Sequence, residues 1–197
     1  MDAPQVALLP DGRRLHLQHG PIDLVIEAFG EHEEVGAAFR QARDRFRTVL
    51  GELVEELPQL RKPVGVDGKP LIPSGPTAQR MVAAVSPHRD VFVTPMAAVA
   101  GSVADEVMDA FVAGRDLDKA YINNSGDIAV HLTPGETLRV GIVGELFRPT
   151  IDGTAELTFE GTVRGVATSG WRGRSLSFGV ADAVTVLAKN AAAAVVA

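Results

Sequence analysis

The sequence predicts an α+β fold with helices packed on one face of an antiparallel sheet. Three observations carry this. Short runs of alternating apolar residues recur along the chain and are joined by turn residues, as antiparallel strands are. Helical periodicity is concentrated in two regions, residues 35–57 and 96–113. No strand–helix alternation carries a dinucleotide fingerprint, which argues against a Rossmann fold. The 197 residues fit one domain or two intimately packed halves. Hydrophobic content of 46% with only 5% aromatics calls for an aliphatic core.

In chain order, residues 6–9 and 14–18 read as strands around Pro10-Asp11-Gly12, a turn tripeptide. Gly20-Pro21 interrupts, and residues 22–28 continue a meander with Ile22, Leu24 and Ile26 on one face. His16 and His19 read as exposed strand and turn histidines, because no partner acid stands at ligand spacing. Val35, Ala38, Phe39, Ala42, Phe46, Val49, Leu50, Leu53 and Leu57 then recur at three- and four-residue intervals. Glu31, Glu33 and Glu34 suit the positive end of that helix, and Pro58 is expected to end it.

Residues 59–75, rich in proline and glycine, predict a long loop that covers a site. Ser74 is expected to cap a short helix with Pro76 in its first turn. Residues 91–93 predict a brief strand. The small residues of 96–113 predict a helix that approaches a sheet or ligand closely. Residues 138–143, 154–159, 163–167 and 183–188 predict further strands, the last one buried. Asn190 opens a final helix that runs out with no cap or polar face. The chain 1–197 is therefore expected to be a single domain lacking its C-terminal part.

The net charge of −6 argues against nucleic-acid binding, which needs clustered positive charge. With no cysteine there is no disulfide, thiolate metal site or thiol nucleophile. No apolar run approaches the ~20 residues that span a bilayer, and the start does not read as a signal peptide. The expectation is a cytoplasmic protein without membrane partners. Homo-oligomerisation is left open.

Two segments carry candidate chemistry. Residues 121–132, YINNSGDIAVHL, hold a polar corner between strands that presents Asn123, Asn124 and Asp127 together. Those side chains either only shape the turn or line a site. Residues 168–178, TSGWRGRSLSF, offer bare glycine amides, hydroxyls, a stacking surface in Trp171 and forked donors in Arg172 and Arg174. They are either a solvated loop or an anion site, and no P-loop ending is present.

The first segment resembles the Asn-x-Gly-Gly-Asp-Ile motif of the ApbE family, the FAD:protein FMN transferases, with Ser125 in place of the first glycine. Residues 164–188, RGVATSGWRGRSLSFGVADAVTVLA, resemble more specifically a shorter, functionally uncharacterised branch of that superfamily. The resemblance covers nearly the whole chain. It implies a T-fold-related ApbE-like architecture, a FAD or FMN ligand and Mg²⁺. Asn123, Asn124, Gly126 and Asp127 would line the pocket, with Asp127 the candidate catalytic residue. Thr168, Ser169 and Gly170 match the Thr-Ser-Gly before the family's cofactor loop, to which Arg172 and Arg174 belong.

The departures are specific. The family's Lys-Gly-x-x-x-Asp reads Ala100-Gly101-Ser102-Val103-Ala104-Asp105 here. Its His-x-Ile-x-Asp-Pro segment is missing. Its Asp-Ala-x-x-Thr acid, aligned through Val184-Thr185-Val186, falls near Val195, which cannot ligate Mg²⁺. The resemblance therefore implies binding of a flavin or another phosphate-bearing small molecule without FMN transfer. The alternative is chemistry on a different small anionic metabolite, with Arg172 and Arg174 as the clamp and Asp127 and Asp105 as acid–base groups. A scaffold role has only the helix at 35–57 to recommend it.

Overall fold

The computed structural model describes residues 3–65, 71–144, 150–170 and 180–197. Its elements are β1 (Gln5–Leu8), β2 (Leu15–His19), β3 (Ile22–Gly30), α1 (His32–Leu60), α2 (Pro76–Val85), α3 (Val99–Val112), β4 (Leu117–Asn124), β5 (Asp127–Leu132), β6 (Thr137–Ile142), β7 (Gly153–Thr158), β8 (Gly165–Ser169), β9 (Val184–Ala188) and α4 (Ala191–Val196). Seven strands form one sheet in the order β1-β2-β3-β4-β5-β8-β9, every neighbouring pair antiparallel. The α+β class and the helix-covered sheet are thus as the periodicity predicts.

Alternation decides which residues face the helices. Leu15, Leu17, Leu24, Ile26, Ala120, Ile122 and Ala129 point into the main core, where they meet Ala38, Ala42, Phe46 and Val49 of α1 and Val103, Val107 and Phe111 of α3. Over β5 and β8 the opposite face is covered by the β6–β7 ribbon. There Val130, Leu132 and Val166 meet Val140 and Leu157 in a second apolar cluster.

The helix layer is tied together by charge. Glu106 of α3 is buried and accepts hydrogen bonds from Arg45 of α1 (2.9 Å) and Arg80 of α2 (2.9 Å). Arg45 also makes a forked pair with Glu52 at 2.9 and 2.7 Å, and that guanidinium holds the Glu52 carboxyl below its usual range.

The shortest helix is held most specifically. Both carboxylate oxygens of Asp105 accept backbone N–H bonds from the first turn of α4, from Ala191 at 3.0 Å and Ala192 at 2.8 Å. Asn190 adds the N-cap bond, accepting from the Ala193 amide at 2.8 Å. Only glycine fits beneath this turn. A Cβ on Gly101 would stand 2.3 Å from the Ala191 carbonyl oxygen, and one on Gly165 would stand 2.0 Å from the Asn190 carbonyl carbon. The close approach expected of the small-residue helix is therefore to α4 and the sheet.

Several elements differ from the sequence reading. Pro58 does not end α1, which runs on to Leu60. Leu60 is fully buried, and its burial outweighs the bond that proline cannot make. Residues 91–93 form no strand, because they lie beside no sheet edge. Val91 and Phe92 are exposed, and the Val93 carbonyl accepts one bond from the Val64 amide. A 3-10 turn, Pro95–Ala98, precedes α3 where one continuous helix was expected.

The N-cap of α2 is Gly75, not Ser74, and the cap comes from α1. Glu56 accepts the Ser74 and Gly75 amides at 2.8 and 2.7 Å. Those contacts and the Val64 bond pin the described ends of the predicted loop at 59–75, of which residues 66–70 lie outside the described residues. β9 is an edge strand and not a buried one, with Val184 and Leu187 exposed. His19 is buried against Phe46, its ring centroid 6.2 Å away, and not exposed. His16 pairs with Asp23 at 2.9 Å.

Asp105→Ala strands two amides of the first turn of α4 and should cost about 2 kcal/mol. Asp105→Asn, with one acceptor oxygen left, should cost roughly half that. Urea denaturation of the three proteins checks the order, and equal stabilities would show that the clasp contributes nothing.

Candidate functional site

The turn between β4 and β5 is tighter than the four-residue corner suggests. Asn124 pairs with Asp127, so only Ser125 and Gly126 form the loop. Both have positive φ, 54° and 111°, as two-residue hairpin turns require. The Asn123 Oδ1 accepts the Gly126 amide at 2.7 Å and braces the turn. Asn124 is buried, and its Nδ2 donates to the Ala100 carbonyl at 3.0 Å, which ties the turn to the first turn of α3. Three of the four polar residues named in this stretch thus have structural work to do.

Asp127 does not. It lies on the helix-facing side, partly buried, and its carboxylate has no hydrogen-bond or ion-pair partner among the described residues. Burial alone pushes its pKa from the ordinary 3.8 up to about 7. Near neutral pH this group exists as both acid and carboxylate, able to donate to an oxygen or accept from a ring N–H.

The second candidate segment arrives at the same end of the sheet. β8 runs antiparallel to β5, with Ile128 opposite Val166 and Ala129 opposite Gly165. The chain therefore travels along β8 toward the end where Asp127 begins β5, and Thr168, Ser169 and Gly170 follow there. Thr168 Oγ1 lies 2.9 Å from Thr185 Oγ1 across the β8–β9 pair. Gly170 is required by close approach, since a Cβ there would stand 2.0 Å from the Asp182 carbonyl oxygen. Trp171, Arg172 and Arg174 lie outside the described residues.

Asp105 does not join Asp127 as an acid–base pair, since its carboxylate is committed to α4. A histidine escaped the sequence reading. Asp127, Ala129 and His131 share one face of β5 by simple alternation, so the period that located Asp127 also puts His131 on the helix side. Burial and the neighbouring Arg164 both lower the His131 pKa.

For a metal the donors are wanting. Among the described residues no three acids or histidines gather as a ligand set. Val195, where the resemblance sets an acid, carries only an isopropyl group on α4. No described helix is long and apolar enough to cross a membrane.

Fold and site together define an α+β protein with an antiparallel sheet covered on one face by helices and a titratable carboxyl at one sheet end. The chain belongs to the family described as AbpE bacteria, whose model matches residues 6–197. It is similar to proteins named "UPF0280 protein" from archaea. One, from Methanothrix thermoacetophila, is 30% identical over 183 residues, covering 87% of this chain and 74% of that one. Another, from Methanothermobacter thermautotrophicus, is 35% identical over 158 residues, covering 74% and 56%. A third, from Archaeoglobus fulgidus, is 38% identical over 106 residues, covering 52% and 40%. The matched region thus spans about half or less of the second and third relatives.

An acid whose folded pKa exceeds its unfolded value holds its proton more tightly when folded. Stability from Asp127 is full below pH 3.8 and is lost as pH rises through about 7. Asp127→Asn should abolish this loss, so the variant should gain on the wild type steadily between pH 4 and 7. Urea midpoints across that range check it, and parallel curves would place the Asp127 pKa near its ordinary value.

Proposed function

We propose that this protein binds a flavin or another phosphate-bearing small molecule at the sheet end where β5 begins and β8 finishes. The observation that carries the reading is the arrival of two separate polar segments there, around an Asp127 that has no partner among the described residues. A partly buried carboxyl with no partner among the described residues is costly to keep unless a ligand uses it. The resemblance of residues 121–132 and 168–170 to the nucleotide-binding segments of ApbE-type transferases supports a flavin in particular. In this reading Asp127 holds a polar ring edge, and Asn123 and Asn124 hold the turn that aims it.

Chemistry on a different small anionic metabolite is the second reading. Its support is the titration of Asp127 near neutrality, which suits a proton-transferring group. FMN transfer is not part of the proposal, because Val195 and its neighbours on α4 offer no oxygen side chain to a metal.

Calorimetry and flavin fluorescence with FAD, FMN and ADP test the binding. Asp127→Ala should weaken the flavin that binds by about tenfold, the worth of one hydrogen bond to a charged group. Absence of binding for all three at high micromolar concentration would overturn the reading. Incubation with FAD, Mg²⁺ and a threonine-bearing acceptor should leave the acceptor free of covalent flavin by mass spectrometry. Flavin transfer above the enzyme-free control would mean that the metal is held by residues not named above.

A further inference from the structure

A cleft opens on the helix side of the sheet, toward the end of β5 away from Asp127. It encloses about 340 Å³ between α2, α3, β5 and the junction of β9 with α4. Its charged and titratable lining is Arg80, Asp105, Asp109, His131, Arg164 and Lys189. Both acids are already engaged. Asp105 holds the first two amides of α4, and Asp109 pairs with Arg80, which also donates to Glu106.

The remaining groups are cationic or able to become so, and none of them pairs with a carboxylate among the described residues. Arg164 is fixed by backbone carbonyls. Its Nη1 donates to Thr158, Gly161 and Val163 at 3.3, 2.8 and 2.6 Å, and its Nη2 donates to Phe159 at 2.8 Å. Carbonyl dipoles position a guanidinium without cancelling its charge. Lys189 has no hydrogen bond or ion pair among the described residues. His131 faces the same space and likewise has no side-chain hydrogen bond among them. Arg164, Lys189 and His131 thus line one cleft without a paired acid among the described residues, in a chain of net charge −6.

We propose that this cleft is a binding subsite for a small oxyanion, the phosphate or carboxylate group of a metabolite, held by Arg164, Lys189 and His131. Arg164 supplies a fixed positive field, and Lys189 supplies a mobile ammonium at the rim. Burial and Arg164 hold the His131 pKa below its ordinary value. An anion seated between them reverses that repulsion, so the imidazole gains a proton and donates to the ligand. Asp105 and Asp109 line the same cleft, and their carboxylates are bonded to α4 and to Arg80.

The test follows the His131 imidazole by proton–nitrogen NMR while inorganic phosphate, acetate or chloride is added at constant ionic strength. The expected result is a saturable His131 shift with phosphate or acetate, a rise in its pKa, and no such shift with chloride. Which of the two saturates names the ligand class. Lys189→Glu and Lys189→Met, both at an exposed position, should weaken the binding by about tenfold or more. No saturable shift with either oxyanion would overturn the proposal. So would an equal response to chloride, or an affinity unchanged in both Lys189 variants. These probes carry no isoalloxazine or nucleoside, so the outcome is independent of whether a flavin binds at Asp127.

Discussion

The seat of α4 is the constraint on which the rest of this architecture turns. A six-residue helix of alanine and valine has little to hold it in water, because helices this short cannot offset their nucleation cost. Asp105 supplies what is missing by taking two of the first amides into a buried carboxylate. Burial raises the Asp105 pKa, and the same two amides pull it back. The bond geometry works only because Gly101 and Gly165 let α3 and β8 approach the turn to van der Waals distance. Three separate parts of the chain thus converge on one helix start, and each fails without the others.

Around that seat, the helix layer is positioned by a different kind of interaction. Glu106 is adjacent to Asp105 in sequence, and it faces Arg45 and Arg80 where Asp105 faces α4. Two consecutive acids on α3 therefore fix three other helices. A buried ion pair is weak evidence for net stability, since desolvation offsets much of the attraction. What Glu106 does supply is register. Only one sliding position of α1 and α2 along α3 brings both guanidinium groups to 2.9 Å. The aliphatic core, with few aromatic shapes to interlock, leaves room for such a device.

Much of this was legible in the residues. Alternation located β2, β3, β4 and β5, and three- and four-residue spacing located α1, because in each case one face is buried and the pattern records it. Where burial is decided elsewhere the pattern misleads. Residues 91–93 look like a strand but have no neighbour to pair with, and β9 is apolar although it stands at an edge. Pro58 carries a local stop signal that the burial of Leu60 overrides. At the site, spacing could gather Asn123, Asn124 and Asp127 but could not divide the labour among them. That division depends on Ala100 and Gly126, reached through folding, and on what Asp127 does not touch. Arg172 and Arg174 belong to the same segment but lie outside the described residues.

The two polar ends of β5 carry opposite electrostatics, and the fold explains why they remain separate. Asp127 and His131 are four residues apart on one face, about 13 Å at the ordinary strand rise. That exceeds the screening length of roughly 8 Å at physiological salt, so charges reached through solvent at one end barely sense the other. Between them lies Ala129, buried and paired with Gly165, which packs against the start of α4. At one end burial leaves a carboxyl poised near neutrality, and at the other burial and Arg164 hold an imidazole's pKa below its ordinary value. Neither group compensates the other, so each keeps the electrostatic state that its own surroundings impose.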